Sequence, residues 1–112
     1  MPKKNKILKE YDGELYGRTP INNLILFSIY SVGKECTFER LLKECFILFP
    51  QAFSFSKYHQ WPDSRKLDRP IRFLRNRKLI TGNPKTFFSL TKIGKKLALE
   101  TAKTLKQRKL KF

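Results

Sequence analysis

The stretch WPDSRKLDRPIRFLRNRKLI, residues 61–80, contains seven lysine and arginine residues, of which five are arginine. A guanidinium group is planar and can donate two parallel hydrogen bonds, either to a phosphate or to the O6 and N7 atoms of guanine. A lysine ammonium acts mainly as a point charge. The arginine-rich composition therefore favours oriented contacts with an anionic partner, and the alternative is an ordinary solvated helix surface.

The apolar residues of this stretch follow a helical period. Leu67, Ile71 and Leu74 recur at spacings of four and three, which predicts a helix over about residues 63–77 with this stripe on the core. A second set at helical spacing, on another face, consists of Arg65, Arg69, Arg72 and Asn76. The sequence thus predicts a helix with one buried face and one arginine face.

Two residues bear on the geometry of this helix. Asp63 is a typical N-cap residue. Pro70 lies inside the predicted helix, where its ring removes one backbone hydrogen bond and clashes with the carbonyl four residues earlier. We therefore expect the helix to be either kinked at Pro70 or split, with a tight turn at 63–68 and the main helix from Arg69. Residues 75–78 are expected to solvate the helix end and complement its dipole.

The positive charge of the chain is concentrated in its second half. The 112 residues contain 25 basic and 9 acidic side chains, a net charge of +16. Residues 1–56 carry eight basic and six acidic side chains, whereas residues 57–112 carry seventeen and three, a net charge of +14. A lysine-rich proteome or a need for solubility would not concentrate charge in this way. We expect an acidic partner, and we expect it to meet the second half.

The rest of the chain predicts the elements that would position the basic helix. Helical periods predict two earlier helices, one over residues 19–33 that ends near Gly33 and one over residues 37–49 that Thr37 caps. The β-prone runs LITG and TFFSLT, separated by NPK, predict a two-stranded hairpin. Thr91 then caps a last helix, whose core-facing stripe consists of Ile93, Leu97, either Thr101 or Ala102, and Leu105. The predicted fold is α+β, mostly α, with a flexible basic arm over residues 1–18, one domain over 19–105 and a basic tail over 106–112.

The segment PQAFSFSKYHQWP, residues 50–62, has two prolines and no helical period, and it contains four aromatic residues. We expect a loop that its aromatics, Tyr58 and Trp61 among them, pin to the core. The alternative is that Tyr58 and Trp61 stack on a nucleic-acid base.

The order helix, helix, helix, hairpin, helix, together with LRNRKLITGNPKTFFSLTKIGKKLA over residues 74–98, resembles the winged helix-turn-helix domains of MarR-like and PadR-like regulators. The matching residues are Leu74, Leu79, Ile80, Leu90, Thr91 and Gly94. The resemblance covers about residues 20–105. The chain departs from it between the second and third helices, where some thirteen residues replace the usual turn of about three or four.

The resemblance implies that the third helix enters the major groove of duplex DNA and that the hairpin, or wing, touches the backbone or the minor groove. On the third helix it implicates Ser64, Arg65, Lys66, Arg69 and Arg72. On the wing, over about residues 82–87, it implicates Asn83, Lys85 and Thr86.

The expected function is that of a sequence-recognising protein that binds double-stranded DNA, as a transcriptional regulator does. The last helix is expected either to pair with a second copy as a homodimer or to return its stripe to the core. Two alternatives stay open, an RNA-binding or ribosome-associated winged-helix protein and a protein-interaction module of a larger nucleic-acid complex.

Other classes of function have little support in the sequence. No Walker loop, GxSxG or HExxH motif occurs, so we expect no enzyme activity and no cofactor. His59 stands alone and predicts no metal site. Cys36 and Cys45 are expected to be buried thiols in a reducing compartment, with redox sensing as the alternative. No apolar run approaches the ~20 residues that span a bilayer, so we expect no membrane partner and a cytoplasmic, nucleoid-associated location.

Overall fold

The computed structural model describes residues 16–110, and most of these residues are helical. The elements in chain order are α1 (Ile21–Val32), α2 (Phe38–Leu48), α3 (Pro50–Phe53), α4 (Arg65–Asn76), β1 (Ile80–Thr81), β2 (Ser89–Leu90) and α5 (Lys92–Leu110). The predicted α+β class, mostly α with a two-stranded antiparallel hairpin and a C-terminal helix, is confirmed. α4 is the predicted basic helix, and α3 is a single helical turn inside the segment that was predicted to be a loop.

Helix α1 forms the centre of the core. It packs against α2, α4 and α5, and its buried residues are Leu24, Ile25, Leu26, Ser28 and Ile29. Gly33 ends α1 with a φ of +80°, and the Thr37 side chain caps α2 by accepting a hydrogen bond from the Arg40 backbone N–H at 3.2 Å. These residues form the elements for the local reasons that the sequence indicated.

Helix α4 is continuous through Pro70, so the predicted split into a turn and a shorter helix is wrong. The predicted stripe of Leu67, Ile71 and Leu74 is fully buried. Burying each of these side chains contributes about 1.5–3 kcal/mol, whereas a proline inside a helix costs about 3 kcal/mol. The packing of the stripe therefore outweighs the lost backbone hydrogen bond.

The C-terminal end of α4 is locked to the start of α5. The Leu79 N–H donates to the Leu74 carbonyl at 2.9 Å and the Lys78 N–H to the Arg75 carbonyl at 3.0 Å, which is the Schellman pattern, and Lys78 has a φ of +58°. The Thr91 N–H in turn donates to the Leu79 carbonyl at 3.1 Å. This junction sets the position of the hairpin relative to α4.

Thr91 and Gly94 complete the junction from the side of α5. The Thr91 hydroxyl donates to the Lys78 carbonyl at 2.8 Å and accepts from the Gly94 N–H at 3.1 Å, so Thr91 caps α5 as predicted. A Cβ atom on Gly94 would lie 1.9 Å from the Leu79 carbonyl oxygen. The close contact between Leu79 and the start of α5 therefore requires a residue without a side chain at position 94.

The hairpin pairs Ile80 with Leu90 and Thr81 with Ser89 in antiparallel register. A further antiparallel bridge joins Phe88 to Cys36, directly before α2. Phe88 is fully buried. The hairpin is therefore anchored to the core on one face and projects from it at the turn.

Three expectations at the edges of the domain need correction. Tyr16 falls in the range predicted as an arm, yet it is buried and its ring meets that of Phe49 edge-on at 5.0 Å. Helix α5 continues to Leu110, beyond the predicted end of the domain. Ile93 is 62% exposed, and Gly94 and Ala98 are the buried residues at the start of α5, because Gly94 packs against the Leu79 backbone. Thr101 and Leu105, farther along α5, are buried as predicted. Residues 1–15 of the predicted arm and residues 111–112 of the tail lie outside the described residues.

Among residues 16–110, no helix is both long and apolar enough to cross a lipid bilayer.

Candidate nucleic-acid interface

The face of α4 opposite its buried stripe is solvent-exposed and polar. Helical geometry of 100° per residue places Arg69, Arg72 and Asn76 along the middle of this face. Arg65 begins the same row at the N-terminal end, and Arg75 lies beside it toward the hairpin. Since all five side chains are exposed, α4 presents a convex row of donors to solvent.

Arg65 is held by its own neighbourhood. Its Nε donates to Oδ1 of Asp63 at 3.1 Å and its Nη2 to Oδ2 at 3.2 Å, while its backbone N–H donates to Oδ1 at 3.1 Å. The guanidinium carbon also lies 5.5 Å from the centre of the Phe55 ring. The predicted capping carboxylate of Asp63 is therefore in place, although Ser64 directly before α4 already has helical dihedral angles.

This pairing has electrostatic consequences for both groups. Asp63 is buried, with 4% of its surface exposed, and its hydrogen bonds from Arg65 lower the pKa of its carboxyl. The same hydrogen bonds raise the pKa of the Arg65 guanidinium. Two of the five N–H groups of Arg65 are thus committed to Asp63. Arg65 can meet a partner only with the donors that remain.

The other arginines of α4 differ from Arg65 in this respect. Within the described part of the chain, no carboxylate lies within ion-pair distance of Arg69, Arg72 or Arg75. Their guanidinium donors are therefore directed to solvent. This is the state in which charged donors gain most from meeting an anion, because no internal salt bridge has to be broken.

A groove separates α4 from the hairpin. It has a volume of about 460 Å³, and it is lined by Arg72, Arg75, Asn76, Ile80, Thr81 and Gly82. Arg72 and Arg75 lie three residues apart, so their guanidinium groups can act on the same segment of a bound anionic chain. The sequence predicts solvation of the helix end for Arg75, and it places Asn76 on the arginine face without assigning it a contact. The spacing of Asn76, four residues after Arg72, is the sequence signal that places Asn76 on the same face of α4.

The turn of the hairpin uses two of the three predicted wing residues for its own structure. The Asn83 side-chain oxygen accepts from the Lys85 N–H at 2.8 Å, and the Thr86 hydroxyl accepts from the Asn83 N–H at 3.2 Å. Gly82 precedes them with a φ of +98°. Lys85 is left exposed at the tip. Of the predicted wing residues, Lys85 is therefore the one free to reach a partner, and Asn83 and Thr86 position it.

An apolar hollow borders α4 on the other side. It has a volume of about 430 Å³, and it is lined by Asn22, Arg69, Pro70, Phe73 and Asn76. Phe73 is exposed, and the guanidinium carbon of Arg77 lies 5.1 Å from the centre of its ring. Of the remaining predicted site residues, Ser64 lies directly before α4 and is exposed, and Lys66 lies in the first turn of α4 and is half-exposed. The row of arginines thus has a polar groove on one side and an apolar hollow on the other.

The expectation that Tyr58 and Trp61 pack into the core is wrong. Tyr58 is 54% exposed and Trp61 is 55% exposed, and their rings stack on one another with centres 5.4 Å apart. Phe53 and Phe55 of the same segment point the other way, Phe53 into the core and Phe55 beneath Arg65. The loop therefore divides its aromatics between the core and the surface.

The cysteines and the histidine have structural roles. Cys36 and Cys45 are buried free thiols, as predicted. Burial raises the pKa of Cys36 to about 11 and raises that of Cys45 further, so neither thiol is activated as a thiolate at neutral pH. A ring nitrogen of His59 lies 2.7 Å from the Ser56 carbonyl oxygen. No group of three or more His, Cys, Asp or Glu side chains that could hold a metal occurs among residues 16–106.

Comparisons of this chain with protein-family models, with curated proteins and with solved structures give no significant match.

Proposed function

We propose that this chain is a winged helix-turn-helix protein that binds double-stranded DNA, with α4 in the major groove and the hairpin turn over residues 82–87 against the adjacent backbone or minor groove. The observation that carries the proposal is the set of exposed arginines on α4 that have no carboxylate partner among the described residues, Arg69, Arg72 and Arg75. In such a role the protein would recognise sequence and regulate transcription.

The dimensions of α4 suit this docking. Its twelve residues rise about 18 Å at 1.5 Å per residue, which is the length of about five base-pair steps of 3.4 Å. The major groove, about 12 Å wide, admits an α-helix. In the major groove of the DNA, the guanidinium of Arg69 or Arg72 can donate two hydrogen bonds to a guanine. The Asn76 amide can form two hydrogen bonds with an adenine.

The groove between α4 and the hairpin suits a phosphate backbone. Arg72 and Arg75 line it from α4, and Gly82, at the start of the turn that carries the exposed Lys85, lines it from the hairpin. The net charge of +14 over residues 57–112 adds a sequence-independent attraction, which weakens as salt rises. In this arrangement Lys85 and Arg75 position the protein, while Arg69, Arg72 and Asn76 read base edges.

The connection between α2 and α4 is longer than the turn of a typical helix-turn-helix. It contains α3 and a loop over residues 54–62, and it ends at the Asp63 cap. The turn is thus replaced by a folded segment packed at the N-terminal end of α4. The docking proposed here depends on the exposed face of α4 and not on a short turn.

RNA binding is the main alternative, and the shape of the arginine row argues against it. The row lies on a convex helix, and the major groove of A-form RNA is too narrow and deep for side chains to read. The arginines of α4 therefore favour B-form DNA. A protein that works on duplex DNA would act in the nucleoid-associated location that the composition predicts.

The experiment is a titration of a labelled duplex at several salt concentrations with the Arg69→Ala and Arg72→Ala variants. Each substitution is expected to cost about 1–3 kcal/mol of binding free energy and to flatten the preference among sequences. Arg65→Ala is the matched control, because it removes the same charge from the same helix at a position already held by Asp63. It is expected to cost less and to leave the sequence preference unchanged.

Two outcomes would overturn the proposal. Equal losses for Arg65→Ala and Arg72→Ala would mean that only net charge matters. Equal or tighter binding of a structured RNA at the same salt would assign the surface to RNA.

Selection of bound sequences from a random duplex library also tests the proposed homodimer through α5. Two inverted half-sites about one helical turn apart are expected if two copies bind together, and a single site is expected if one copy binds alone.

A further inference from the structure

We propose that the loop over residues 54–62, called the aromatic loop from here on, is a base-stacking site in which Tyr58 and Trp61 receive an unpaired nucleobase next to the duplex that α4 holds. The inference deepens the proposed function and rests on it. It assigns the protein to junctions between double-stranded and single-stranded DNA, or to duplexes with an unpaired base.

The aromatic loop is a folded projection. Ser54 and Pro62 form an antiparallel bridge at its base, and the Phe55 N–H donates to the Trp61 carbonyl at 3.0 Å. At its tip the Trp61 N–H donates to the Tyr58 carbonyl at 3.0 Å. These bonds fix the backbone that carries Tyr58 and Trp61, so the two rings are presented in a set position.

The two rings offer an apolar surface that the protein itself leaves uncovered. Their interplanar angle is 26°, so each ring covers one face of the other. Both side chains nevertheless keep more than half of their surface exposed, at 54% and 55%. The exposed area therefore consists of the outer faces and edges of the stack. A nucleobase placed on an outer face would extend the stack by one ring.

The aromatic loop adjoins the N-terminal end of α4. The Asp63 N–H donates to the Phe53 carbonyl at 2.8 Å, and Arg65 lies over the ring of Phe55, so the base of the loop and the first turn of α4 are one packed unit. The hairpin adjoins the opposite end of α4. The arginine row is thus flanked by two projections, separated by the length of α4, about 18 Å. A duplex seated on α4 would bring an unpaired base at its end to the aromatic loop.

Charge around the aromatic loop selects an anionic partner. Over residues 54–66, all of which the structure describes, Lys57 is exposed and Lys66 half-exposed, and neither is in an ion pair with a described residue, whereas the exposed Arg65 is paired with Asp63. Asp63, the one acidic residue of this range, is buried and paired. Aromatic rings for stacking together with positive charge for the backbone are what proteins use to hold single-stranded nucleic acid.

Trp61 is the only tryptophan of the chain, so its fluorescence reports on this site alone. The full-length protein is titrated with a blunt DNA duplex, with the same duplex carrying a short single-stranded extension, and with the extension strand alone. We expect quenching of Trp61 emission by the extended duplex and by the single strand, and none by the blunt duplex. We also expect the extended duplex to bind tighter by about 5- to 150-fold, the range found for stacking of one base on an aromatic side chain.

Variants separate stacking from other effects. Trp61→Ala is expected to abolish the preference for the extended duplex and to leave blunt-duplex affinity unchanged. Trp61→Phe is expected to keep most of that preference although the fluorescence is lost. Tyr30→Ala removes an exposed aromatic side chain of α1, away from the arginine face, and serves as the matched control with no expected change. A circular-dichroism melt of each variant checks the fold, which substitution at exposed positions should preserve.

The two proposals fail in different ways. If the blunt and extended duplexes bind equally and Trp61 emission does not change, while binding still depends on Arg72, the stacking site is overturned and duplex binding stands. If no duplex binds but the single strand still quenches Trp61, the duplex-binding function falls and base stacking stands. If Trp61→Ala instead causes a change of oligomeric state, the rings form a protein contact and the stacking site is overturned.

Discussion

The two ends of α4 carry the same type of side chain in different states. At the N-terminal end, Arg65 is 76% exposed in its side chain, yet it is hydrogen-bonded to Asp63 and lies over Phe55. At the C-terminal end, Arg72 and Arg75 are exposed and have no carboxylate within ion-pair distance among the described residues. Exposure alone therefore does not make an arginine available to a partner.

The arginines at the two ends of α4 therefore have different roles. Arg65 belongs to the cap that starts α4, and its pairing with Asp63 holds the aromatic loop against the helix. Arg72 and Arg75 line the groove that faces the hairpin, and the junction of Leu79, Thr91 and Gly94 sets the width of that groove. The N-terminal end is built from ionic contacts and the C-terminal end from close backbone packing. Each end can be disturbed separately.

The largest effect is expected from Gly94→Ala at the C-terminal end. The new Cβ atom would lie 1.9 Å from the Leu79 carbonyl oxygen, so the start of α5 must move away from the end of α4. We expect the free energy of unfolding to fall by about 1–3 kcal/mol, as for other overpacked sites. Denaturant unfolding followed by circular dichroism measures it.

Lys95→Ala is the matched control, because Lys95 is the next residue of the same helix and is exposed. It should change stability by no more than about 0.5 kcal/mol. If Gly94→Ala were as stable as the original protein, the gain in helix propensity would outweigh the contact, and the junction would not depend on close approach.

A smaller effect is expected at the N-terminal end from Asp63→Ala. This change removes the acceptor of the Arg65 backbone N–H and the partner of its guanidinium, so the start of α4 should fray and the midpoint of thermal unfolding should fall by several degrees. Asp63→Asn is the sharper variant, because asparagine caps helices as well as aspartate does. It should keep the helix cap, lose the stability that the ion pair with Arg65 contributes, and release the Arg65 guanidinium from that pair.

Once released from Asp63, the Arg65 guanidinium should be as free as that of Arg72 to contact a DNA phosphate. We expect Asp63→Asn to bind duplex DNA more tightly and to make the dependence of log K on log salt steeper by about 1, the contribution of one added phosphate contact. If the affinity and the salt slope stay unchanged, Arg65 lies away from the DNA, and the difference between the two ends of α4 is one of position and not of pairing.

Local chemistry explains why much of the fold could be predicted from the sequence. The caps at Thr37 and Thr91, the turn at Gly82 and the buried stripe of α4 each depend on residues within one or two helical turns of each other. The continuity of α4 through Pro70 could not be predicted, because the packing of Leu67, Ile71 and Leu74 that outweighs the proline is a tertiary effect.

The site was harder to predict than the fold. The period of α4 placed Arg65, Arg69 and Arg72 in one row, but periodicity does not show which arginine is already paired. The spacing of Asp63 and Arg65 was visible in the sequence, and aspartate at an N-cap within reach of an arginine is the signal that could have separated them. No such signal existed for Tyr58 and Trp61, because their exposure depends on the backbone bridges that close the aromatic loop.

The smallest effect is expected from Lys78→Gly at the C-terminal end of α4. Lys78 occupies the left-handed position of the Schellman pattern with a φ of +58°, where glycine is the usual residue. A residue with a side chain costs about 1–2 kcal/mol there, while the extra freedom of glycine in the unfolded chain costs about 0.4–1 kcal/mol. We therefore expect the protein to become more stable by about 0.5–1 kcal/mol, measured by denaturant unfolding. Lys78→Ala removes the same charge, keeps the strain and should give no such gain. If Lys78→Gly stabilises the protein while DNA affinity falls equally in both variants, Lys78 contributes only its charge to binding. The end of α4 can then be stabilised without changing how Arg72 and Arg75 contact DNA.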